Sequence, residues 1–392
     1  MSPWMRQFRD FFVSLRLTVV LLALSILLIF AATLDQVNLG IWAVQHKYFQ
    51  TFFVLWKFGE VPVPVFPGGY FLGGLLFVNL IAAHLYRFKM TWRKSGIFLT
   101  HLGLILLLLG ELLSGLWQQD FQMRLDEGQT KNYSESYQYY ELAITDTTDA
   151  SFDDVVVIPK EILERGEVIQ HPKLPFRVVP KGFFPNVDFQ GRAAVPNAPP
   201  PIATTGLGLN MVVTPMAFDY KPDAVNVPAA FIELVGAEGS IGTWLTIYPP
   251  TQFLILPPQT FSYGGRSWKI ALRPQREYKP FAITLLKFSH DVYAGTDIPK
   301  NYSSRIRVTT PDGHDDREVL IYMNNPLRYA GLTFFQSGYD GEHTTILQVV
   351  HNPSWRLPYV ACVMMAIGLI VQFGIHLIGF FRKRRAAAAA VA

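Results

Sequence analysis

The sequence predicts a membrane protein in which four transmembrane helices are joined to a large, all-β antiparallel domain outside the lipid. Half of the 392 residues are hydrophobic and only 16% are charged, which is too apolar for an ordinary soluble protein. Four runs reach the roughly 20 apolar residues that a helix needs to cross a hydrocarbon core. Between the third and fourth runs, the hydrophobic pattern changes from helical to alternating, which favours strands.

The four apolar runs define the membrane region. Residues 1–117 contain three predicted transmembrane helices, at about 15–34, 70–88 and 97–117, with an outer interfacial loop at 35–69. Residues 358–392 contain the fourth helix and a basic tail. The first run could instead be a signal peptide, but it is longer than the usual apolar region and "FAATLD" is a poor cleavage site. A retained transmembrane helix is therefore favoured.

The positions of lysine and arginine predict the orientation. Basic clusters precede the first run, fill the turn between the second and third runs, and follow the fourth run. Because such clusters stay on the cytoplasmic side, both termini are expected there, in a multi-pass protein of the bacterial inner membrane. The long region between the third and fourth runs is then extracytoplasmic. The net charge of +4 is explained by this topology, so no nucleic-acid partner is predicted.

The single cysteine, Cys362, lies inside the fourth run and is expected to be a small packing residue. One thiol cannot form a C-x-x-C pair for dithiol exchange or a C-x-x-C-H site for covalent haem attachment to this chain. A thiolate metal cluster is excluded for the same reason.

Residues 118–357 are predicted to form the extracytoplasmic β domain, as a sandwich or an open barrel. Three hairpins are expected around the turns "PDGH", "YDGE" and "TDTTDA", because Asp-Gly and similar turns join antiparallel strands. The stretches "RSWKIALRP" and "FAITLLKFS" are interpreted as isolated strands. The Pro-rich run Ala193–Gly206 is interpreted as an irregular loop that divides the domain into two lobes.

Aromatic residues recur at helical spacing in the outer loop, which predicts an amphipathic helix over 39–60; they are Trp42, Phe49, Phe53 and Trp56. In the β domain, His314 and His343 fall in predicted turns, where a solvated side chain is the simpler expectation than a metal ligand.

Two histidines lie on either side of a basic turn between the second and third runs. His84 and His101 are equidistant from Trp92–Arg93, so in a helical hairpin they lie at the same depth. His376, six residues before Arg382, is expected at a similar depth in the fourth helix. An ionisable side chain in a membrane helix is costly and therefore indicates a function.

Haem suits this predicted layer of three histidines. A neutral imidazole is a good axial ligand for haem iron. The cations Arg87, Arg93 and Lys94 stand where the haem propionates would emerge. The alternative is that each histidine hydrogen-bonds a neighbouring helix or points into the headgroups. Spacing alone leaves open which histidine would bind the metal.

Several segments carry a resemblance to a known family. They are the hairpin "HLYRFKMTWRKSGIFLTHLGLILLLLGE", the segment "YAGTDIPKNYSSRIRV", and "NNPLRYAGLTFFQSGYD" followed by "TTILQVVHNPSWRLPYV". In these segments the chain resembles ResB, the cytochrome c biogenesis protein of the system II pathway. The most specific feature is the motif N-x-P-L-x-Y-x-G, followed by F-x-Q-S and a final transmembrane helix.

The resemblance implies a subunit of the system II cytochrome c synthase that works with a ResC (CcsA-type) membrane partner. Such complexes carry haem b across the membrane and attach it to the C-x-x-C-H cysteines of an apocytochrome c. A transmembrane histidine of the ResB half holds the haem iron together with a histidine of the partner. By position, His84 is the first candidate for this ligand, His101 the second and His376 the third.

The chain lacks two features of a complete synthase. Its eight tryptophans form no W-x-W-D motif, which belongs to the partner half, and the β domain has no cysteine for reducing the apocytochrome. A co-catalytic or non-catalytic subunit is therefore expected. The competing hypothesis is a haem-free structural subunit of a respiratory assembly. A transporter is disfavoured because four spans show no inverted repeat.

Overall fold

The computed structural model describes residues 3–59, 61–219, 226–248, 256, 259–295 and 299–389. The chain forms two compact units. The first is built mainly from Met1–Gln119 and His351–Ala392, and the second from Asp120–Asp219 and Asp223–Val350. The first contains the long apolar helices and the second contains most of the strands.

The described residues of the first unit form five α-helices. They are α1 (Pro3–Phe12), α2 (Leu15–Val44), α3 (Gly69–Tyr86), α4 (Ser95–Trp117) and a later helix over Arg356–Ala389, which is α6 in chain order. Within the described residues, four segments are long and apolar enough to cross a membrane, namely Leu15–Ile41, Gly69–Tyr86, Trp92–Trp117 and Arg356–Ala389. The prediction of four apolar helices is confirmed.

The amphipathic helix predicted over residues 39–60 is wrong. Helix α2 has a kink at Gly40 (φ 72°) before it ends at Val44, and a π-helical turn covers Gln45–Phe49. Phe53–Phe58 (β1) then pairs with Val61–Pro67 (β2) in an antiparallel hairpin. β1 is rich in aromatic and apolar side chains, which favour an extended chain. The prolines of β2 are tolerated because the sheet has two strands and both are edges. The side chain of Trp42 lies outside the described part.

Helices α4 and α6 pack closely through three buried glycines spaced seven residues apart, Gly96, Gly103 and Gly110. A Cβ atom on Gly103 would lie 2.6 Å from the Cγ atom of Met365, and one on Gly96 would lie 2.5 Å from the carbonyl oxygen of Gly368. Small residues allow such close contact between helix backbones, which is how helices associate in lipid.

A buried asparagine fixes the corner between α1 and α2. Asn79, in the middle of α3, is 2% exposed. Its amide nitrogen donates to the carbonyl oxygens of Phe12 at 2.6 Å and Ser14 at 3.3 Å, and its amide oxygen accepts from the Thr18 hydroxyl at 2.6 Å. The carbonyls at the end of α1 are thereby satisfied by a neighbouring helix.

The second unit is built on a ten-stranded sheet. Its strands, in chain order, are β3 (Gln119–Asp126), β4 (Thr130–Asp146), β5 (Asp154–Pro159), β11 (Gln259–Tyr263), β12 (Arg266–Val292), β13 (Pro299–Thr309), β14 (Asp316–Tyr322), β15 (Leu327–Tyr329), β16 (Leu332–Asp340) and β17 (Thr344–His351). The order is β14-β13-β12-β4-β3-β17-β16-β15, with β11 on β12 and β5 on β4.

Two smaller sheets complete the second unit. Strands β6 (Arg177–Phe184), β9 (Ala229–Gly236) and β10 (Gly239–Ile247) form an antiparallel sheet, and β7 (Val187–Gly191) pairs with β8 (Met211–Pro215). A short helix, α5, covers Lys160–Arg165 and follows β5 directly. The predicted antiparallel β content is confirmed.

The three predicted hairpins are present as β4–β5, β13–β14 and β16–β17. The two stretches expected as separate strands are instead parts of β12, which bonds β4 on one side and β13 on the other. The register of β12 against β4 shifts between Pro274 and Arg276 and again between Tyr278 and Ile283. These bulges bend one long strand and obscure its alternating pattern.

The Pro-rich run Ala193–Gly206 does not divide the unit into two lobes. It connects β7 to β8, which pair with each other. One hydrophobic core contains Leu142 and Trp268, and another contains Met123 and Phe334, so each core draws on residues before and after the run. The two cores are linked by β4 and β12, which run through the same sheet.

Candidate functional site

Two of the three predicted histidines meet between α3 and α4. The ring centroids of His84 and His101 are 4.9 Å apart, with the ring planes inclined by 63°. Their equal distance in sequence from Trp92–Arg93 predicts this juxtaposition, because the intervening turn reverses the chain. Both side chains are partly buried.

The tautomer of His84 follows from its hydrogen bond. Its Nδ1 atom lies 3.0 Å from the carbonyl oxygen of Leu80, one turn earlier in α3. A carbonyl only accepts, so Nδ1 carries the proton and donates. The Nε2 atom therefore keeps its lone pair, and it is buried with no hydrogen-bond partner among the described residues. Leaving such an atom unpaired costs on the order of 1–3 kcal/mol.

Aromatic rings surround the exposed edge of this histidine pair. Phe88 stacks on His84 at 5.3 Å between centroids and 18° between planes, and Phe98 lies 6.3 Å from His84. Phe88 and Phe98 are 5.9 Å apart. The Nδ1 atom of His101 is also buried without a hydrogen bond of good geometry. The site is thus a basic nitrogen held among apolar and aromatic groups, which suits a flat, apolar ligand that carries a metal.

The third histidine lies at another level, so the predicted layer of three is wrong. A Cβ atom on Gly96, at the start of α4, would lie 2.6 Å from the Cβ atom of Gln372. His376 is one turn beyond Gln372 on α6, whereas His101 lies inside α4. The His376 side chain is exposed, and its Nε2 atom is 2.8 Å from the amide nitrogen of Gln372. The sequence count failed because α6 continues as a helix through its basic residues to Ala389.

The predicted cations divide between two places. Arg93 and Lys94 lie in the 3₁₀ turn before α4 and are exposed. Arg87 lines a groove of about 430 Å³ at the α1–α2 corner, together with residues of both helices and their connection, namely Asp10, Val13, Ser14, Leu15 and Arg16. Sequence spacing could not assign Arg87 to this groove, because the α1–α2 corner depends on the long-range contacts of Asn79.

Sequence reasoning assigned no role to a partly buried histidine in the second unit. His290 on β12 pairs with Tyr302 on β13, and its ring centroid is 4.4 Å from that of Tyr339. Its Nε2 atom is buried without a hydrogen-bond partner among the described residues. The strand register brings these rings together, and no short sequence motif predicts this contact.

The other residues singled out in this unit make ordinary polar contacts. The hydrogen bond from the backbone N–H of Phe288 is the main cause that lowers the pKa of Glu127. His343, whose Nδ1 atom lies 3.0 Å from the Glu127 carboxylate, lowers it further. His314 lies in an exposed turn. Burial raises the pKa of Tyr248 to about 12. Among the described residues, no three His, Cys, Asp or Glu side chains are placed to hold a metal ion.

Part of the second unit matches a known protein-family model. Residues 264–346 match the model of the ResB-like family. This segment of the chain is therefore similar to the ResB-like family. The matched residues include most of the segments from Tyr293 onward that carry the resemblance in the sequence, so that interpretation is confirmed. The membrane histidines lie outside the matched range.

A curated relative agrees with this assignment. The chain is 33% identical over 102 residues to Protein NrfI of Wolinella succinogenes. The aligned part is 26% of this chain and 11% of that protein. The chain therefore matches only a small part of the length of this relative, and the similarity is limited to the aligned segment.

Proposed function

We propose that the chain is a subunit of the system II cytochrome c synthase in the bacterial inner membrane. It helps to carry haem b outward and to present it, with a ResC (CcsA-type) membrane partner, for attachment to the C-x-x-C-H cysteines of an apocytochrome c. The ResB-like match supports the cytochrome c biogenesis role. The observation that carries the haem role is the buried, unpartnered Nε2 atom of His84.

His84 is the proposed iron ligand because its other nitrogen is already used. Donation from Nδ1 to the carbonyl of Leu80 orients the ring and leaves the Nε2 lone pair available, as hydrogen bonds to the other ring nitrogen do for metal-binding histidines. Neutral imidazole in this tautomer is a ready axial ligand for haem iron. The rings of Phe88 and Phe98 offer the apolar contact that a porphyrin requires.

His84 and His101 do not both bind one iron in this arrangement. A histidine nitrogen bonds a metal at about 2 Å, so two imidazoles on opposite sides of one iron have ring centroids about 6 Å apart. The observed separation is 4.9 Å. We therefore assign one iron ligand to this chain and, as the resemblance implies, the other to the membrane partner. His101 packs beside His84, with 4.9 Å between the ring centroids.

The haem propionates are assigned to Arg93 and Lys94, which are exposed on the turn beside this site. Charge-assisted hydrogen bonds from these cations would hold the carboxylates at the membrane surface. The second unit, on the extracytoplasmic side, would position haem against the two thiols of the apocytochrome. Its contribution to thioether formation is then proximity and orientation rather than acid–base chemistry.

The test is a haem measurement on the complex purified with its partner. His84→Ala is expected to lose most of the bound haem and to shift the Soret band, and His101→Ala is expected to retain the iron ligation with a smaller loss. His376→Ala serves as the matched control because this side chain is exposed on another helix level. Unchanged haem content and spectrum in His84→Ala would exclude this ligand. A wild-type complex without a Soret band would favour the haem-free structural subunit.

A further inference from the structure

Helix α1 has two different faces. Trp4, Phe8 and Phe11 follow each other at helical spacing and are 67%, 60% and 57% exposed. The opposite face carries the charged residues Arg6, Arg9 and Asp10. A short helix with aromatic residues on one side and arginines on the other is typical of a segment that lies in a membrane interface.

The α1–α2 corner holds this helix in a defined place beside the first membrane helix. Two residues, Val13 and Ser14, separate α1 from α2. The hydrogen bonds from Asn79 to the carbonyls of Phe12 and Ser14 fix the direction in which α1 leaves. An apolar face that begins two residues from a transmembrane helix is within reach of the lipid headgroup region, which can cover it.

The groove at this corner is positively charged. It is lined by Arg16 and Arg87, and neither guanidinium makes a salt bridge with a described residue. The third charged residue of the groove, Asp10, is already paired with Arg9, whose Nε and Nη2 atoms lie 2.9 Å and 2.7 Å from its carboxylate. Its negative charge is therefore largely offset, and the two free arginines determine the chemistry of the groove.

We propose that α1 and this groove bind the headgroup of an anionic phospholipid from the leaflet that contains the basic turn. The phosphate would lie between Arg16 and Arg87, whose planar guanidinium groups suit its oxygens. The aromatic face of α1 would lie among the glycerol and upper acyl groups. Basic residues next to membrane helices attract anionic lipid. This site is independent of the histidine pair, and its main measurement uses lipid alone.

The test uses the purified full-length chain in detergent and native mass spectrometry with added phosphatidylglycerol or phosphatidylcholine. The wild type is expected to retain phosphatidylglycerol in preference to phosphatidylcholine. The double variant Arg16→Gln/Arg87→Gln is expected to lose at least about tenfold in phosphatidylglycerol retention, with phosphatidylcholine retention unchanged. The matched control, Arg384→Gln/Arg385→Gln, removes the same charge from the basic end of α6 and is expected to behave like the wild type.

Three results would overturn the proposal. They are wild-type retention in the groove variant, an equal loss in the α6 control, and displacement of the lipid by equimolar haem, which would assign the groove to propionates. Should the double variant fail to fold by circular dichroism and size-exclusion chromatography, the single variants Arg16→Gln and Arg87→Gln each replace it. Each is expected to lose part of the phosphatidylglycerol preference, and two single variants with full retention would contradict the site as well.

Discussion

Helix α4 makes two kinds of contact with its neighbours. On one side, Gly96, Gly103 and Gly110 meet α6, and this glycine interface leaves no space for a Cβ atom at its first two positions. On the other side, His101 and Phe98 meet His84 and Phe88 of the α3 hairpin through their rings, and this histidine interface is held by side chains. The first contact joins two backbones, whereas the second joins groups that rotate.

This difference distinguishes a structural interface, formed by the glycines, from the candidate site, formed by the histidines. Backbone contact cannot adjust, so the glycine interface fixes the position of α6 against α4. Ring contacts between α3 and α4 can rearrange by side-chain rotation, which a transient ligand requires. The histidine interface also keeps a buried nitrogen without a partner, and natural proteins tolerate that cost mainly where a function needs it.

The largest effect is expected for Gly103→Val at the glycine interface. The new Cβ atom would lie 2.6 Å from Met365 Cγ and 2.8 Å from the carbonyl oxygen of Ala361, and the backbone oxygen cannot move aside. Overpacking of this kind costs about 3 kcal/mol, so thermal unfolding in detergent should fall by many degrees and the yield should drop.

Gly374→Val on α6 is the matched control for this substitution. A Cβ atom at Gly374 meets nothing within 4 Å, so its unfolding temperature should stay near that of the wild type. Equal losses in the two variants would show that valine in a helix, rather than the close contact with α6, is responsible.

A smaller effect is expected for Asn352→Ala, just before α6. The Asn352 amide nitrogen donates to the Ser114 hydroxyl and to the Gln118 side-chain oxygen, both at 3.0 Å. Its oxygen accepts from the backbone N–H and the hydroxyl of Ser354 at 2.9 Å and 2.8 Å. Loss of these four bonds should lower the free energy of unfolding by about 2 kcal/mol, at about 0.5 kcal/mol per partly exposed bond.

Asn352→Asp keeps the acceptor bonds and removes the donor bond to Gln118. The carboxylate still accepts from Ser354, and the Ser114 hydroxyl can donate to it, so its thermal stability should fall between those of the wild type and the alanine variant. If the aspartate variant unfolds at the same temperature as the alanine variant, the acceptor bonds contribute nothing.

The sequence predicts the elements whose signals are local. Runs such as Leu15–Leu34 mark the membrane helices by length alone, and Asp-Gly turns mark the hairpins β13–β14 and β16–β17. The meeting of His84 and His101 was predictable because one short turn relates them, so counting from Trp92–Arg93 gives their depth.

The remaining features depend on contacts between distant segments. His376 could not be placed from Arg382, because its level is set by Gln372 against Gly96, on a helix far away in sequence. The α1–α2 corner depends in the same way on Asn79. The continuity of β12 depends on β4, a strand far earlier in the chain that pairs with β12 on both sides of its bulges. In each case, the decisive partner is distant along the chain, where periodicity and turn chemistry give no information.

The smallest effect on stability, and the sharpest on function, is expected for His84→Leu. Leucine fills similar space and removes the unpaired nitrogen, so the chain without haem should unfold at the same temperature or be about 1 kcal/mol more stable. The purified complex should nevertheless contain little haem. Thermal unfolding of the haem-free chain and haem content of the complex measure the two effects separately. His376→Leu is the control, with stability within about 0.5 kcal/mol of the wild type and normal haem content, because the side chain is exposed. A large loss of stability in His84→Leu would mean that His84 holds α3 against α4, and the distinction between the two faces of α4 would then be wrong.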